Sequence, residues 1–222
     1  MKTLVVIVIA TILFSTPLYS QNLSAGPVKG FGISTVNITD NSAGGLDKKF
    51  FPSFIIGGKF VYSFVSNWGV TAGVNLSREG GRLKGTLGGN NEYDYTYDAY
   101  YIRVPMQGIY FFGKLGDLVR PKIAVGPSVG FLVGGKSKFE VNEQPGNKVS
   151  TTDIMEPFDA GILSTAGLNV QIIRSRDIWL NSELSYYHGL TNSNSSGSGN
   201  FSNRNLQMTM GIMFPLGTIK PR

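Results

Sequence analysis

From Val28 onward, hydrophobic residues alternate with small or polar ones at period two, in stretches of roughly ten residues separated by turn-rich segments. A period of two belongs to strands, whose successive side chains point to opposite faces. After VKGFGISTVNI, Phe54, Ile56, Phe60, Tyr62 and Phe64 oppose Gly57, Lys59 and Ser63. Trp68, Val70, Ala72, Val74 and Leu76 oppose Gly69, Thr71, Gly73, Asn75 and Ser77. Ile102, Val104, Met106, Tyr110 and Phe112 oppose Arg103, Pro105 and Gln107, and Ile123, Val125, Val129, Phe131 and Val133 oppose Ala124, Gly126, Ser128, Gly130 and Gly134. Phe158, Ala160, Ile162, Ala166, Leu168 and Val170 oppose Asp159, Thr165, Asn169 and Gln171. Ile178, Leu180, Leu184 and Tyr186 oppose Asn181, Glu183 and Ser185; Leu206, Met208, Met210, Ile212 and Phe214 oppose Gln207, Thr209 and Gly211. The pattern predicts eight strands.

The connectors alternate between long and short. Long ones run over 39–52, 78–99, 136–157 and 191–203; short ones are Ser66 and Asn67, 114–119 and 174–177. That rhythm belongs to a barrel crossing an outer membrane, with short periplasmic turns and long extracellular loops, and an even strand count places both termini in the periplasm. Aromatic residues collect near strand ends, at Phe50, Phe51, Trp68, Tyr100, Tyr101, Phe111, Phe112, Trp179, Tyr186 and Tyr187. Amphipathic rings suit the bilayer interface, although cross-strand pairing also gathers aromatics. Within lipid every backbone polar group needs a partner in the protein, so a spanning sheet must close. The predicted fold is therefore all-β: an eight-stranded antiparallel up-and-down transmembrane β-barrel. Ile102, Val104 and Met106 would meet acyl chains, while Arg103 and Gln107 face inward. Pro105 removes a ladder hydrogen bond and predicts a bulge or a bent strand. The same alternation fits a soluble, secreted ligand-binding barrel of lipocalin type, with the apolar face turned inward.

Composition narrows the choice. Glycine, at 29 residues, is close to twice its ordinary share, aromatics reach 12% and charged residues only 15%. The chain has no cysteine, which excludes disulfides, thiolate metal sites and an acylated cysteine anchor. Lys2, the apolar run from Leu4 to Phe14 and the polar exit STPLYSQ form an export signal over residues 1–20, leaving 21–222 as the barrel domain. A net charge of +6 is too mild to imply a nucleic-acid partner, and no phosphate-binding or dinucleotide fingerprint is present.

A resemblance adds to this reading. YYIRVPMQGIYFFG, RPKIAVGPSVGFLVGG, FDAGILSTAGLNVQI, LNSELSYYHGLTN and NRNLQMTMGIMF resemble the PorT-type outer-membrane β-barrel proteins of Bacteroidetes-type bacteria. Gly126-Pro127, and Tyr187 with Gly189 and Leu190, carry much of it. The likeness implies a place in a secretion or gliding apparatus. One departure is the end of the chain, where PLGTIKPR follows Phe214 in place of a terminal aromatic residue.

Candidate sites follow from the charges. Lys59, Arg103, Gln107, Asp159 and Glu183 fall on inward positions, where an unpaired ion is costly, so they are expected to pair and fill the lumen, Arg103 with Glu183 first. A narrow pore or small-solute channel is the alternative use of the same groups. In GGNNEYDYTYDAYY, the acids Glu92, Asp94 and Asp98 alternate with Tyr93, Tyr95 and Tyr97, an extracellular candidate for calcium through the carboxylates or glycan through the rings; the plain alternative extends two strands past the membrane. Loop cations at Lys48, Lys49, Arg78, Arg82, Lys84, Lys136, Lys138 and Lys148 could meet the anionic head groups of outer-membrane lipid and lipopolysaccharide. The sole histidine, His188, has no second histidine or cysteine with which to build a triad or zinc site, so no enzyme activity, metal or cofactor is expected. The sequence reading is a closed structural or interaction barrel, with other envelope proteins as partners.

Overall fold

A computed structural model describes residues 23–38, 46–64, 67–87, 91–114, 116–142, 144–193 and 201–216. The expected signal peptide lies outside the described residues. Ten strands are present among the described residues: β1 (Leu23–Ile38), β2 (Leu46–Lys49), β3 (Phe51–Ser63), β4 (Trp68–Leu87), β5 (Asn91–Phe111), β6 (Val119–Val141), β7 (Gln144–Ser150), β8 (Phe158–Ile173), β9 (Ile178–Gly189) and β10 (Phe201–Pro215). Eight of them close a ring, in the order β4-β3-β1-β10-β9-β8-β6-β5 and back to β4, every pair antiparallel. These are the eight stretches of period-two alternation. The first and last strands seal the ring through thirteen facing pairs, from Ser24 opposite Pro215 to Ile38 opposite Phe201.

The sides fall as alternation requires. Ile102 and Met106 are 40% and 48% exposed, whereas Arg103 and Gln107 between and beside them are 5% exposed. An apolar exterior around an ion-bearing interior is the reverse of a soluble lipocalin-type barrel, and that alternative is discarded. The aromatic belt needs one correction, because adjacent rings point opposite ways. Phe51, Tyr101, Phe111 and Tyr187 are buried in the lumen, while Phe50, Phe112 and Tyr186 remain outside. Outward rings do pair near the short turns, Trp68 with Tyr110 and Tyr110 with Phe112, both at 5.1 Å. Phe54 with Tyr100 and Phe131 with Phe158 make a second band farther along.

The short turns are tied locally. Arg174–Arg176 forms one 3-10 turn that ends on Asp177 in the left-handed region, and the Asp177 carboxylate accepts from Gln171 Nε2 at 2.5 Å and Trp179 Nε1 at 3.3 Å. The long connectors differ from expectation. β4 and β5 have 20 and 21 residues, about twice the span a membrane strand needs, and stay paired out to Leu87 and Asn91. β5 pairs with β6 out to Tyr93 and Val141, and β2 and β7 dock on the outer flanks of β4 and β6. All four predicted loops thus contain strand, the last only where β10 begins at Phe201, and β2-β4-β5-β6-β7 stands as a five-stranded sheet beyond the ring. Alternation continues through this region with ions in place of apolar residues, and period alone does not mark where lipid ends.

Pro105 is a second correction. It stays in register opposite Ser128, and the β4–β5 register is the same on both sides of it, so its missing donor interrupts the ladder without a bulge. The register shift in β5–β6 falls at Tyr100 and Tyr101, next to Gly135 with φ +145°. A Cβ at Gly135 would stand 2.0 Å from the Asp98 carbonyl oxygen, so only glycine fits where β6 bends from the ring into the extension.

Candidate functional site

Eight strands enclose a space just wide enough for side chains to fill. Here that space is layered. Nearest the short turns, Val28, Val61, Ile109, Phe111, Ala124 and Met213 form an apolar plug. At the other end Val36, Tyr97, Ala99, Tyr101 and Met155 form a second. Two separate ion clusters share the lumen with the plugs, the second at the level of the first plug, where Lys122 faces Phe111.

The first centres on Arg103. Its guanidinium donates to both Glu79 oxygens, with Nη2 to Oε2 at 2.6 Å, and Nη2 also reaches Asp159 Oδ2 at 2.6 Å. Asp159 accepts further from Thr191 Oγ1 at 2.9 Å and Asn203 Nδ2 at 3.0 Å, and Ser77 Oγ donates to Glu79 at 2.7 Å. The guanidinium carbon lies 4.0 Å from the Tyr187 ring centroid and 4.9 Å from that of Tyr101. Such stacking holds a cation away from water while its donors stay occupied. Beside this cluster is a small cavity lined by Asn75, Arg103, Ser128, Tyr187 and Gln207.

In the second cluster Glu183 receives Lys122 Nζ at 2.6 Å on one oxygen and Lys59 Nζ on the other. The Asn181 amide lies against the same group. Gln107 belongs to neither; it donates to Thr165 Oγ1 at 3.0 Å and to the Leu163 carbonyl at 3.1 Å. Together the clusters hold three cations (Lys59, Arg103, Lys122) and three carboxylates (Glu79, Asp159, Glu183), so their charge balances. Arg120, nearer the short turns, stacks on Phe111 at 4.3 Å.

The expected Arg103–Glu183 pair does not form. Register explains why. Arg103 faces Gly130 on β6, which faces Asp159 on β8; Lys122 faces Gly167 on β8, which faces Glu183 on β9. In both rows the ions are two strands apart and meet over a glycine. A Cβ at Gly130 would approach Arg103 Nη1 to 2.9 Å, and one at Gly167 would approach Glu183 Cγ to 2.9 Å. Gly130→Leu is therefore expected to push the guanidinium off Asp159 and lower the unfolding midpoint in detergent. Gly134→Leu, where a Cβ meets nothing within 4 Å, should leave the midpoint nearly unchanged. Equal effects would remove the crossing-point role of Gly130.

Sequence reading missed Glu79, assigned to a loop, and Lys122, at the edge of a strand. Parity was the available signal: Glu79 continues the inward series of Asn75 and Ser77, and Lys122 that of Ala124.

The loop candidates separate onto two faces. Asp98 binds Arg78, Nη2 to Oδ2 at 2.7 Å, and Asp94 binds Arg82. The Arg82 guanidinium holds the Asp94 carboxyl below the usual carboxylate range. Tyr93, Tyr95 and Tyr97 point to the opposite face, where Tyr93 and Tyr95 pack on Phe139 at 5.9 and 6.4 Å. Carboxylates and rings thus stand on opposite faces, and Asp94 and Asp98 are engaged by arginines. His188 lies on the outward face of β9 against Tyr186, and no group of three or more potential metal ligands occurs among the described residues.

A closed ring of eight strands with a greasy exterior, aromatic bands and an ion-bearing interior defines a transmembrane β-barrel. The chain belongs to the family described as outer membrane protein beta-barrel domain, which matches residues 19–195. It is an outer-membrane protein. None of the curated proteins compared matches it. Among solved structures it is similar to neisserial surface protein A (10% identity, 87% of this chain and 97% of that one, TM-score 0.46). It is also similar to OprG of Pseudomonas aeruginosa (13%, 86% and 93%, 0.45) and to Ail, the attachment invasion locus protein of Yersinia pestis (15%, 86% and 98%, 0.38).

Proposed function

We propose that this protein is a closed, non-conducting barrel that serves the outer membrane as a structural or interaction partner, within a secretion or gliding apparatus of the kind its PorT-type resemblance implies. The short turns and both termini face the periplasm, and the five-stranded extension faces outward. The observation that carries the reading is the filled lumen, in which apolar clusters near both ends and ions that neutralise one another occupy the interior. A conducting path needs continuous water and exposed charge. The exposed Lys136, Lys138 and Lys148 on the extension, with Lys138 directly opposite Lys148, favour contact with the phosphates of lipopolysaccharide. Reconstitution in planar bilayers tests the closed state: no current steps are expected, and steady unitary steps would establish the narrow-pore alternative. Affinity purification of the tagged protein from its native membrane tests the interaction role, with stable co-purifying envelope proteins as the expected result.

A further inference from the structure

One ion stands on the wrong side of the wall. Lys29 lies on the outward face of β1, directly between Ile56 of β3 and Met210 of β10, themselves 55% and 47% exposed to the lipid side. It is exposed, and no hydrogen bond or ion pair reaches it among the described residues. Two residues on, Phe31 is 70% exposed. Two residues back, Pro27 faces Gly58, where an added Cβ meets nothing within 4 Å, so the wall is hollowed beside the ammonium.

Depth makes this position costly. Lys29 is midway between Leu23, where β1 begins, and Thr35, which faces Arg204. At ~3.3 Å rise and ~40° tilt, each end is about 15 Å away along the barrel axis. A four-carbon stem does not cover that distance, so Lys29 cannot bring its charge fully to either surface. A lipid-facing lysine is most unfavourable near mid-membrane, and an intramembrane ion of this kind marks a site of function.

Resting on the interaction reading above, we infer that the β10-β1-β3 face, with Lys29 at its centre, docks a membrane-embedded segment of a different protein that carries an aspartate or glutamate. Charge complementarity selects that occupant. A second copy of this chain does not fit, because a two-fold contact through this face sets Lys29 against Lys29. Nor does the outward face of the ring carry an acid at the level of Lys29; the outward acids Asp94, Asp98 and Glu140 stand on the extension, where Arg82 and Arg78 already engage the first two. The hollow at Pro27 and Gly58 admits a close backbone approach, and Phe31 supplies an apolar anchor at the rim.

The test uses the full-length, tagged protein in its native membrane, with a photoreactive phenylalanine analogue at Phe31 or, four strands away around the ring, at Val125. The expected result is capture at Phe31, but not at Val125, of one protein whose cross-linked peptide places an Asp or Glu in an apolar strand or helix. Lys29→Met should lower that yield at least about tenfold and Lys29→Arg preserve it. The purified Lys29→Met barrel should melt at or above the wild-type temperature, which shows that the lost capture is not lost folding. Adducts with this chain itself or with lipopolysaccharide alone, a protein adduct indifferent to Lys29→Met, or a lower melting temperature would overturn the inference. Probes at Phe139 and Val149 on the extension separate the two failures. Capture there without capture at Phe31 sinks only the Lys29 site, whereas capture at neither sinks the interaction reading as well.

Discussion

Arg103→Leu is expected to be the most destabilising single substitution in this barrel, lowering unfolding free energy by at least about 3–5 kcal/mol, the range for breaking one buried ion pair. Two carboxylates depend on this guanidinium, Glu79 at 1% and Asp159 at 0% exposure. Ser77, Thr191 and Asn203 remain as neutral donors, too few to replace a cation held on both acids. Urea titration of the barrel folded in lipid vesicles, followed by tryptophan fluorescence, measures the loss. An unchanged midpoint would show that the lumen is hydrated well enough to solvate the stranded acids. The triple variant Arg103→Leu, Glu79→Gln, Asp159→Asn should recover much of the stability, because buried ions removed together no longer leave an uncompensated charge.

Glu183→Gln is the second large effect, also of about 3–5 kcal/mol. It leaves the ammonium groups of Lys59 and Lys122 close together with no anion between them. The neighbouring Lys122→Met should cost less, because Lys59 still neutralises Glu183. The double variant Glu183→Gln, Lys122→Met should therefore be more stable than Glu183→Gln alone. The reverse order in the same titration would show that the second cluster is not one coupled unit.

These clusters show how far a sequence reaches. Lys59, Arg103, Asp159 and Glu183 were legible as inward ions, because parity within a strand assigns each residue a side without reference to any other strand. Their partners were not. Pairing depends on stagger between strands, and a difference of a few residues in register decides whether Arg103 meets Glu183 or Asp159. The glycines at 130 and 167 look like ordinary small inward residues until register sets each one under a crossing ion pair. The loop acids failed for a related reason: Asp94 and Asp98 read as free ligands only until β4 aligns Arg82 and Arg78 beside them.

Alternation determined the number of ring strands and which side chains of each strand share a face, because the period is written residue by residue, while the closed ring decided that the apolar face is the outer one. Only the tertiary structure decided depth: where strands leave the membrane, which ions share a layer, and that Lys29 stands midway up the wall. Depth is a property of closure, since tilt and stagger are fixed together when β1 seals against β10, and no single strand carries that information.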